Sequence, residues 1–206
     1  MAASTHDSVS SPSESNGDAK LDELLQRSRR LDWRFLLPNP DLGRVVYFGP
    51  ASGDLWDALG YFAQAVVDGQ SLLTGADELF DTAVLERQPI ETLARARARL
   101  KPGGVLYAEL QRRVGREIPW QVRRFTSAAE RAGFRQIETF WHWPDFTACT
   151  KIIPLDDPSG VCNVVATNRH GATAWLVQQA ARAGFSVGLT GWFVSCISVL
   201  ARRGNS

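Results

Sequence analysis

The stretch from Phe80 to Leu110 constrains the fold of this chain more than any other. It opens with the apolar run Phe80–Leu85, continues through an Arg- and Ala-rich segment, and ends in Leu100-Lys101-Pro102-Gly103-Gly104 followed by a second apolar run, Val105–Leu110. Proline ends a helix because it lacks an amide hydrogen, and glycine permits the positive φ of a tight turn. About thirty residues is the size of one strand–helix–strand unit. The pattern therefore predicts two buried parallel strands joined by a helix and a tight turn.

The rest of the chain alternates between strand and helix patterns. Predicted strands are Arg44–Phe48, Ala65–Gly69, Thr82–Arg87, Val105–Leu110, Arg135–Trp141 and Trp192–Leu200, with an extra strand at Val161–Thr167. Predicted helices are Leu21–Leu31, Asp54–Gln64 with Asp54 as N-cap, Pro89–Leu100, Thr126–Ala132 and Thr173–Ala183. This alternation predicts an α/β fold, a Rossmann-like doubly wound and mostly parallel sheet with a C-terminal antiparallel hairpin.

Composition is that of an ordinary globular protein. A length of 206 residues suits one domain with tails, and a formal net charge of +1 argues against broad electrostatic binding of nucleic acid. The three cysteines, Cys149, Cys162 and Cys196, are odd in number and widely spaced, which fits neither a disulfide framework nor a zinc site. We therefore expect a cytoplasmic protein without a metal site.

The chain divides into a tail, a connector and one domain. Residues 1–19 are rich in Ser, Asn, Gly and Ala, and we expect them to be disordered. Residues 20–42 carry the first helix and a connector, and residues 43–206 form the main domain, with an insertion at 144–191 before the last strand. Phe185–Ala201 is uncharged, but as a helix it would span about 25 Å against a hydrocarbon core of about 30 Å. We expect a buried strand there and no membrane contact.

Two features that follow the first two strands suit a nucleotide-like ligand. The loop Gly49–Gly53 joins a strand to a helix, and glycine matters there because a Cβ would hold a ligand away from the backbone. Asp68 lies about twenty residues beyond Gly49, the spacing at which a carboxylate can accept hydrogen bonds from both ribose hydroxyls. Taken alone, each feature also suits an ordinary turn. A nicotinamide-binding fold would share both, but the Gly-x-Gly-x-x-Gly pattern is not present.

In their order along the chain, these motifs resemble those of class I S-adenosylmethionine (SAM)-dependent methyltransferases, of the type 11-like small-molecule kind. The succession of Phe80-Asp81 and Leu100–Gly104 resembles the fourth and fifth strands of that family. The resemblance implies SAM as cofactor. The cofactor-binding residues that it implies are Gly49, Ala51 and Gly53 in the first loop, Asp68 on the ribose, and Asp77 near the adenine.

The chain departs from the family pattern at three points. Tyr47 stands where the family usually has an acidic residue, two positions before the first loop glycine. Pro50 and Ala51 make the loop stiffer and bulkier. Only about a dozen residues separate Asp68 from Phe80, too few for a complete helix and strand. We expect the second helix and third strand to be lost or reduced, which would expose the edge of the sheet.

Candidate catalytic and substrate residues follow the later strands. His142, between two tryptophans, could act as a general base, and Glu109 is a second candidate. The alternative is that Trp141 and Trp143 pack and His142 is solvated. Residues predicted to contact the substrate are Arg112, Arg113 and Trp143; the Arg-rich segment could receive an anionic acceptor or simply form a solvated face.

Two functions stay open at this point. The first is SAM-dependent methyl transfer to a small-molecule acceptor in a biosynthetic pathway, by a protein that could form a homodimer or bind a partner protein. The second is a methyltransferase-like accessory or binding subunit that has lost its cofactor. Tyr47, Pro50, Ala51 and the short span from Asp68 to Phe80 favour the second function, whereas Asp68, Gly49 and Gly53 favour the first. For the first, we expect the turns near residues 50 and 102 to line the same rim of the sheet.

Overall fold

The computed structural model describes residues 12–72, 78–111, 118–167 and 196–204. The helices are α1 (Pro12–Arg29), α2 (Asp54–Phe62), α3 (Thr92–Arg99), α4 (Ile118–Arg131) and α5 (Pro158–Thr167), and a short 3-10 helix spans Asp32–Leu36. The strands are β1 (Arg44–Phe48), β2 (Ala65–Asp68), β3 (Phe80–Glu86), β4 (Leu100–Gln111), β5 (Phe134–Trp143), β6 (Lys151–Pro154) and β7 (Cys196–Arg203).

All seven strands form one sheet in the order β2-β1-β3-β4-β7-β5-β6. The first four are parallel neighbours, and β7 runs antiparallel to both β4 and β5, so that β5 points the same way as the first four. β6 returns antiparallel along β5. The predicted fold class is confirmed: a Rossmann-like α/β sheet, mostly parallel, with antiparallel strands from the C-terminal part of the chain.

Apolar side chains cover both faces of this sheet. One face packs against α3 and α4 through a core that includes Phe48, Leu106, Phe125 and Phe134. The other face packs against α2 and the connector, through a core that includes Trp33, Tyr47, Leu59 and Tyr107. Because strand residues alternate between faces, Tyr47 and Phe48 belong to opposite cores.

Several predicted elements need correction. Val161–Thr167 is the last part of helix α5 and not a strand. α1 already begins at Pro12, inside the segment for which a disordered tail is predicted, and α4 begins eight residues before the predicted Thr126. β6 is a strand that the sequence pattern does not predict. The predicted helix Thr173–Ala183 lies outside the described residues.

The Lys-Pro-Gly-Gly turn lies at the amino edge of the sheet. Between the pairs Phe80↔Leu100 and Thr82↔Val105 the chain of β4 has three more residues than that of β3, and Gly103 in this irregularity has φ +75°. Lys101 Nζ lies 2.6 Å from Asp81 Oδ1, and the amide of Arg44 donates to Asp81 Oδ2 at 3.0 Å. Burial alone would raise the pKa of Asp81, but these bonds outweigh it and lower the pKa below its usual value.

The expectation that the turns near residues 50 and 102 share one rim is wrong. The loop Gly49–Gly53 follows β1, whereas the turn at 101–104 precedes the regular part of β4, and β1 and β4 point the same way. In any strand–helix–strand unit the return from the helix enters the second strand at its amino end. The two turns therefore lie at opposite edges, and only the loop after β1 lies at the carboxyl edge.

β2 is one edge of the sheet. Its only neighbour is β1, and no further strand flanks it within the described ranges. The described residues between Asp68 and Phe80, which are 69–72 and 78–79, form turns and irregular chain, without a helix. This agrees with the predicted loss or reduction of the second helix and third strand.

We predict opposite effects of alanine at two glycines. A Cβ at Gly104 would come within 2.9 Å of the Lys101 carbonyl oxygen and 3.0 Å of that of Asp81, so Gly104→Ala should destabilise the fold by about 1–3 kcal/mol. Gly60, inside α2, has nothing within 4 Å of its Cβ position, so Gly60→Ala should stabilise the fold by about 0.5–1 kcal/mol. Urea unfolding measures the change in the free energy of unfolding for both variants. If the two substitutions destabilised the fold equally, the tight packing at Gly104 would be contradicted.

Candidate functional site

The direction in which successive strands are added to the sheet reverses between β1 and β3. β2 lies on one side of β1 and β3 on the other, so the loops that leave the carboxyl ends of β1 and β3 diverge. Ligands of open α/β sheets bind in the crevice that such a reversal creates. The candidate site is therefore the carboxyl edge around the loop Gly49–Gly53 and the loop that begins at Arg87.

Gly53 offers an open cradle at the start of α2. It is the N-cap of the helix, with φ +106°, a conformation that favours glycine, and nothing lies within 4 Å of its Cβ position. Asp54, the predicted N-cap, is instead the first helical residue. Ala51 and its neighbours in the loop are exposed.

Gly49 offers no such cradle, because Tyr47 fills it. A Cβ at Gly49 would collide with the hydroxyl group and ring of Tyr47. Tyr47 is fully buried, its hydroxyl donates to Glu86 Oε2, and Trp56 packs edge-on against its ring at 5.2 Å. Burial and this bond to a carboxylate raise the pKa of Tyr47 well above its ordinary value. The neutral phenol of Tyr47 thus occupies the space above Gly49, the first loop glycine.

Asp68 lies at the carboxyl end of β2, as predicted. Its Oδ1 accepts a hydrogen bond from the amide of Gln70 at 2.8 Å, and the side chain is partly exposed. The following amide, that of Gly69, donates to the Tyr47 carbonyl oxygen at 2.7 Å, which ties the end of β2 to β1. Asp77, the predicted adenine contact, lies outside the described residues.

Glu109 belongs to a buried ion pair. Arg30 Nη1 and Nη2 lie 2.5 and 2.9 Å from its two carboxylate oxygens, and the Tyr107 hydroxyl donates to Oε1 at 2.9 Å. Trp33 stacks on Tyr107 with ring centroids 3.9 Å apart. Burial alone would lower the pKa of Arg30, but the bonds to Glu109 outweigh it and raise the pKa. In this arrangement Glu109 anchors the segment after α1 to the sheet.

His142 lies inside β5 and not in the predicted loop after it. Its Nε2 shares a hydrogen bond with Ser198 Oγ at 2.8 Å, and its Nδ1 lies 3.6 Å from Cys149 Sγ. Burial and the charge of Arg30 lower the pKa of His142 to about 3, so the imidazole is neutral. The adjacent Trp143 points to the other face, where its ring packs edge-on against Trp141 at 5.2 Å.

A polar row crosses the sheet at this edge, and sequence reasoning missed most of it. Glu86 pairs with Glu109 and Glu109 pairs with Ser198 in the strand register. Of this row only Glu109 is a predicted site residue. Tyr47, which bonds to Glu86, is noticeable in the sequence because it departs from the family pattern. No local pattern in the sequence singles out Glu86, or Arg30, which bonds to Glu109. Arg112 and Arg113 lie outside the described residues.

A cavity of about 510 Å³ opens beside this row, between the loop after β3, the end of β4 and the first turns of α4. No cluster of His, Cys, Asp and Glu that could hold a metal ion occurs in the described ranges. The helices that the structure describes include none that is both long and apolar enough to cross a membrane.

No family model matches this sequence, and no curated protein matches it. Solved structures do. A SAM-dependent methyltransferase from Archaeoglobus fulgidus is 13% identical with a TM-score of 0.49, and the match covers 88% of this chain and 94% of that one. A possible histamine N-methyltransferase from Thermotoga maritima is 12% identical with a TM-score of 0.44, over 93% and 96% of the two chains.

A third similar structure is longer than this chain. Phosphoethanolamine N-methyltransferase 2 of Haemonchus contortus, in complex with S-adenosylhomocysteine, is 13% identical with a TM-score of 0.44. The match covers 89% of this chain and 52% of that one, so this chain spans about half of that protein's length.

We predict that His142 makes the fold acid-sensitive. Its pKa is 6.5 when unfolded and about 3 when folded, so between these values the unfolded chain binds more protons and stability falls as the pH falls. From pH 6.5 to 5 this loss should be about 2 kcal/mol. Urea unfolding of the protein and of His142→Gln across this range measures it. A variant that loses as much stability as the unsubstituted protein would contradict the assignment.

Proposed function

We propose that this protein transfers a methyl group from SAM to a small-molecule acceptor in a biosynthetic pathway of the cytoplasm. The observation that carries the proposal is the reversal of strand order between β1 and β3, with the Gly49–Gly53 loop and Asp68 at the carboxyl edge of the strands beside it. A cavity of about 510 Å³ lies at the same edge, where an acceptor would meet the donor.

The residues at the edge fit the nucleoside part of SAM. The open cradle at Gly53 lets a ligand approach the backbone, and Asp68 offers a partly exposed carboxylate for ribose hydroxyl groups. When bound, SAM supplies an electrophilic methyl group. The chain's own task is then to hold donor and acceptor in line, which accounts for much of the rate of such a transfer.

Glu109 and His142 take positioning roles in this proposal. Glu109 holds Arg30 and with it the segment after α1, and His142 joins β5 to β7 through Ser198. Arg112, Arg113 and Trp143 remain predicted acceptor contacts. The insertion at 144–191, which contains β6 and α5, is the part of the chain that we expect to select the acceptor.

Asp68→Ala should weaken SAM binding by about 1–3 kcal/mol, because the charge-assisted hydrogen bonds to the ribose would be lost. Calorimetric titration with SAM and with S-adenosylhomocysteine measures the change. Asp156→Ala, which removes an exposed carboxylate far along the chain, should leave both affinities unchanged. Unchanged affinity in Asp68→Ala would remove Asp68 from the site.

One observation favours the second function, a methyltransferase-like binding or accessory subunit without cofactor. The Tyr47 hydroxyl, held by Glu86, lies where a ligand would approach Gly49. A donor that uses the whole loop must displace this phenol from a buried position. If it cannot, the crevice stays closed and the fold serves only as a scaffold.

Tyr47→Val should separate the two functions, because valine suits a strand and frees the space above Gly49. If Tyr47 closes the crevice, calorimetry will detect SAM binding to this variant and not to the unsubstituted protein. If the protein is an enzyme with an open crevice, both will bind SAM with similar affinity. Tyr61→Val, at an exposed tyrosine of α2, is the matched control and should behave as the unsubstituted protein.

A further inference from the structure

The cavity beside the polar row has walls from three elements that come together only in the folded chain. The loop after β3 contributes Arg87 and Ile90, the end of β4 contributes Leu110, and α4 contributes Trp120, Arg124 and Phe125. Phe125 is buried in the core between the sheet and α3 and α4, and Ile90 and Leu110 pack against that core. The floor of the cavity is therefore apolar.

Charged side chains of both signs line the rim of the cavity. Arg87 and Arg124 line the cavity, and so do Glu91 and Glu109. Glu109 contributes no free charge because both of its oxygens bind the buried Arg30. Glu86 Oε1 forms an ion pair with Arg87 Nε at 3.9 Å, while Glu86 Oε2 accepts a hydrogen bond from the Tyr47 hydroxyl. Arg87 therefore has a long ion pair with Glu86, and Glu91 is the second carboxylate beside the two guanidinium groups.

Arg87 adopts a conformation that its side chain does not favour. Its φ is +54°, in the left-handed region, and its amide donates to the Glu109 carbonyl oxygen at 3.2 Å. A non-glycine residue in this region is strained, and such residues cluster at functional sites. The strained residue lies at the carboxyl end of β3, directly beside the crevice and the cavity.

The α4 wall combines an aromatic surface with polar groups. Trp120 is 51% exposed, and the guanidinium of Arg124 lies over its ring at 5.3 Å. Gln121 also lines the cavity, and its Nε2 is buried with no hydrogen-bond partner in the described part of the chain. A buried donor without a partner costs free energy that a ligand with an acceptor group would recover.

We infer that this cavity binds a small molecule that carries a carboxylate or phosphate on a planar or apolar body. The body lies on the apolar floor, the anion lies between Arg87 and Arg124, and Gln121 donates to a polar atom of the ligand. Arginine suits this task because its planar group binds oxyanions with two parallel hydrogen bonds. The identification of this ligand as the methyl acceptor rests on the proposed function. Its binding to the cavity does not.

Titration calorimetry with two matched probes tests the inference. The probes are 4-hydroxyphenylacetate and the neutral 4-hydroxyphenylacetamide, titrated into the full chain without SAM. The anion should bind about tenfold more tightly than the amide, as expected when a hydrogen bond to a charged group is gained. Arg124→Gln should abolish this difference by weakening the anion alone. Arg131→Gln, at an exposed arginine of the same helix outside the cavity, should preserve it.

Each remaining outcome overturns the inference: no binding of the anion, equal binding of both probes, or the same loss in Arg131→Gln as in Arg124→Gln. A parallel SAM titration separates this result from the fate of the proposed function. Binding of SAM without the anion would leave the methyltransferase proposal standing and refute the anion site. Binding of the anion without SAM would support the site and refute the proposed donor.

Discussion

The ion pair between Arg30 and Glu109 holds together the edge of the sheet on which the candidate site depends. Two charges removed from water cost several kcal/mol each, and they are tolerated only where the geometry is good and the remaining hydrogen bonds are made. Here both carboxylate oxygens are bound and a tyrosine hydroxyl adds a third contact. The pair sets the position of the segment after α1, and the stack of Trp33 on Tyr107 extends that contact along β4.

The amino and carboxyl edges of the sheet differ in function. At the amino edge, Lys101 and the amide of Arg44 both bond to the carboxylate of Asp81 beside the Gly-Gly turn. The backbone around Gly104 leaves no room for a side chain there. At the carboxyl edge, the chain reverses its strand order and gathers the polar row, the strained Arg87 and the cavity. The motif that identifies the fold most clearly therefore stabilises it and takes no part in the site.

Local patterns in the sequence predict the sheet well and the polar contacts poorly. The strand at Arg44–Phe48 and the stop at Gly133 follow from apolar runs and turn residues. The β-branched residues of helix α5 suggest a strand, although Asp157-Pro158 is a helix start: Asp157 Oδ1 accepts the amide of Ser159 at 2.9 Å. β6 has four residues and pairs with β5, a contact that its own sequence does not indicate. Arg30 and Glu109, 79 residues apart, share no local pattern.

The short edge strand β2 also affects how the folded protein meets other chains. An unpaired strand presents a row of amide and carbonyl groups that can template a ladder with a foreign strand. β2 has only four residues, and it ends in the carboxylate of Asp68. So short a stretch offers few backbone bonds, and its terminal negative charge repels an acidic neighbour. Among the described strands, β2 is thus an open sheet edge that offers little to a foreign strand.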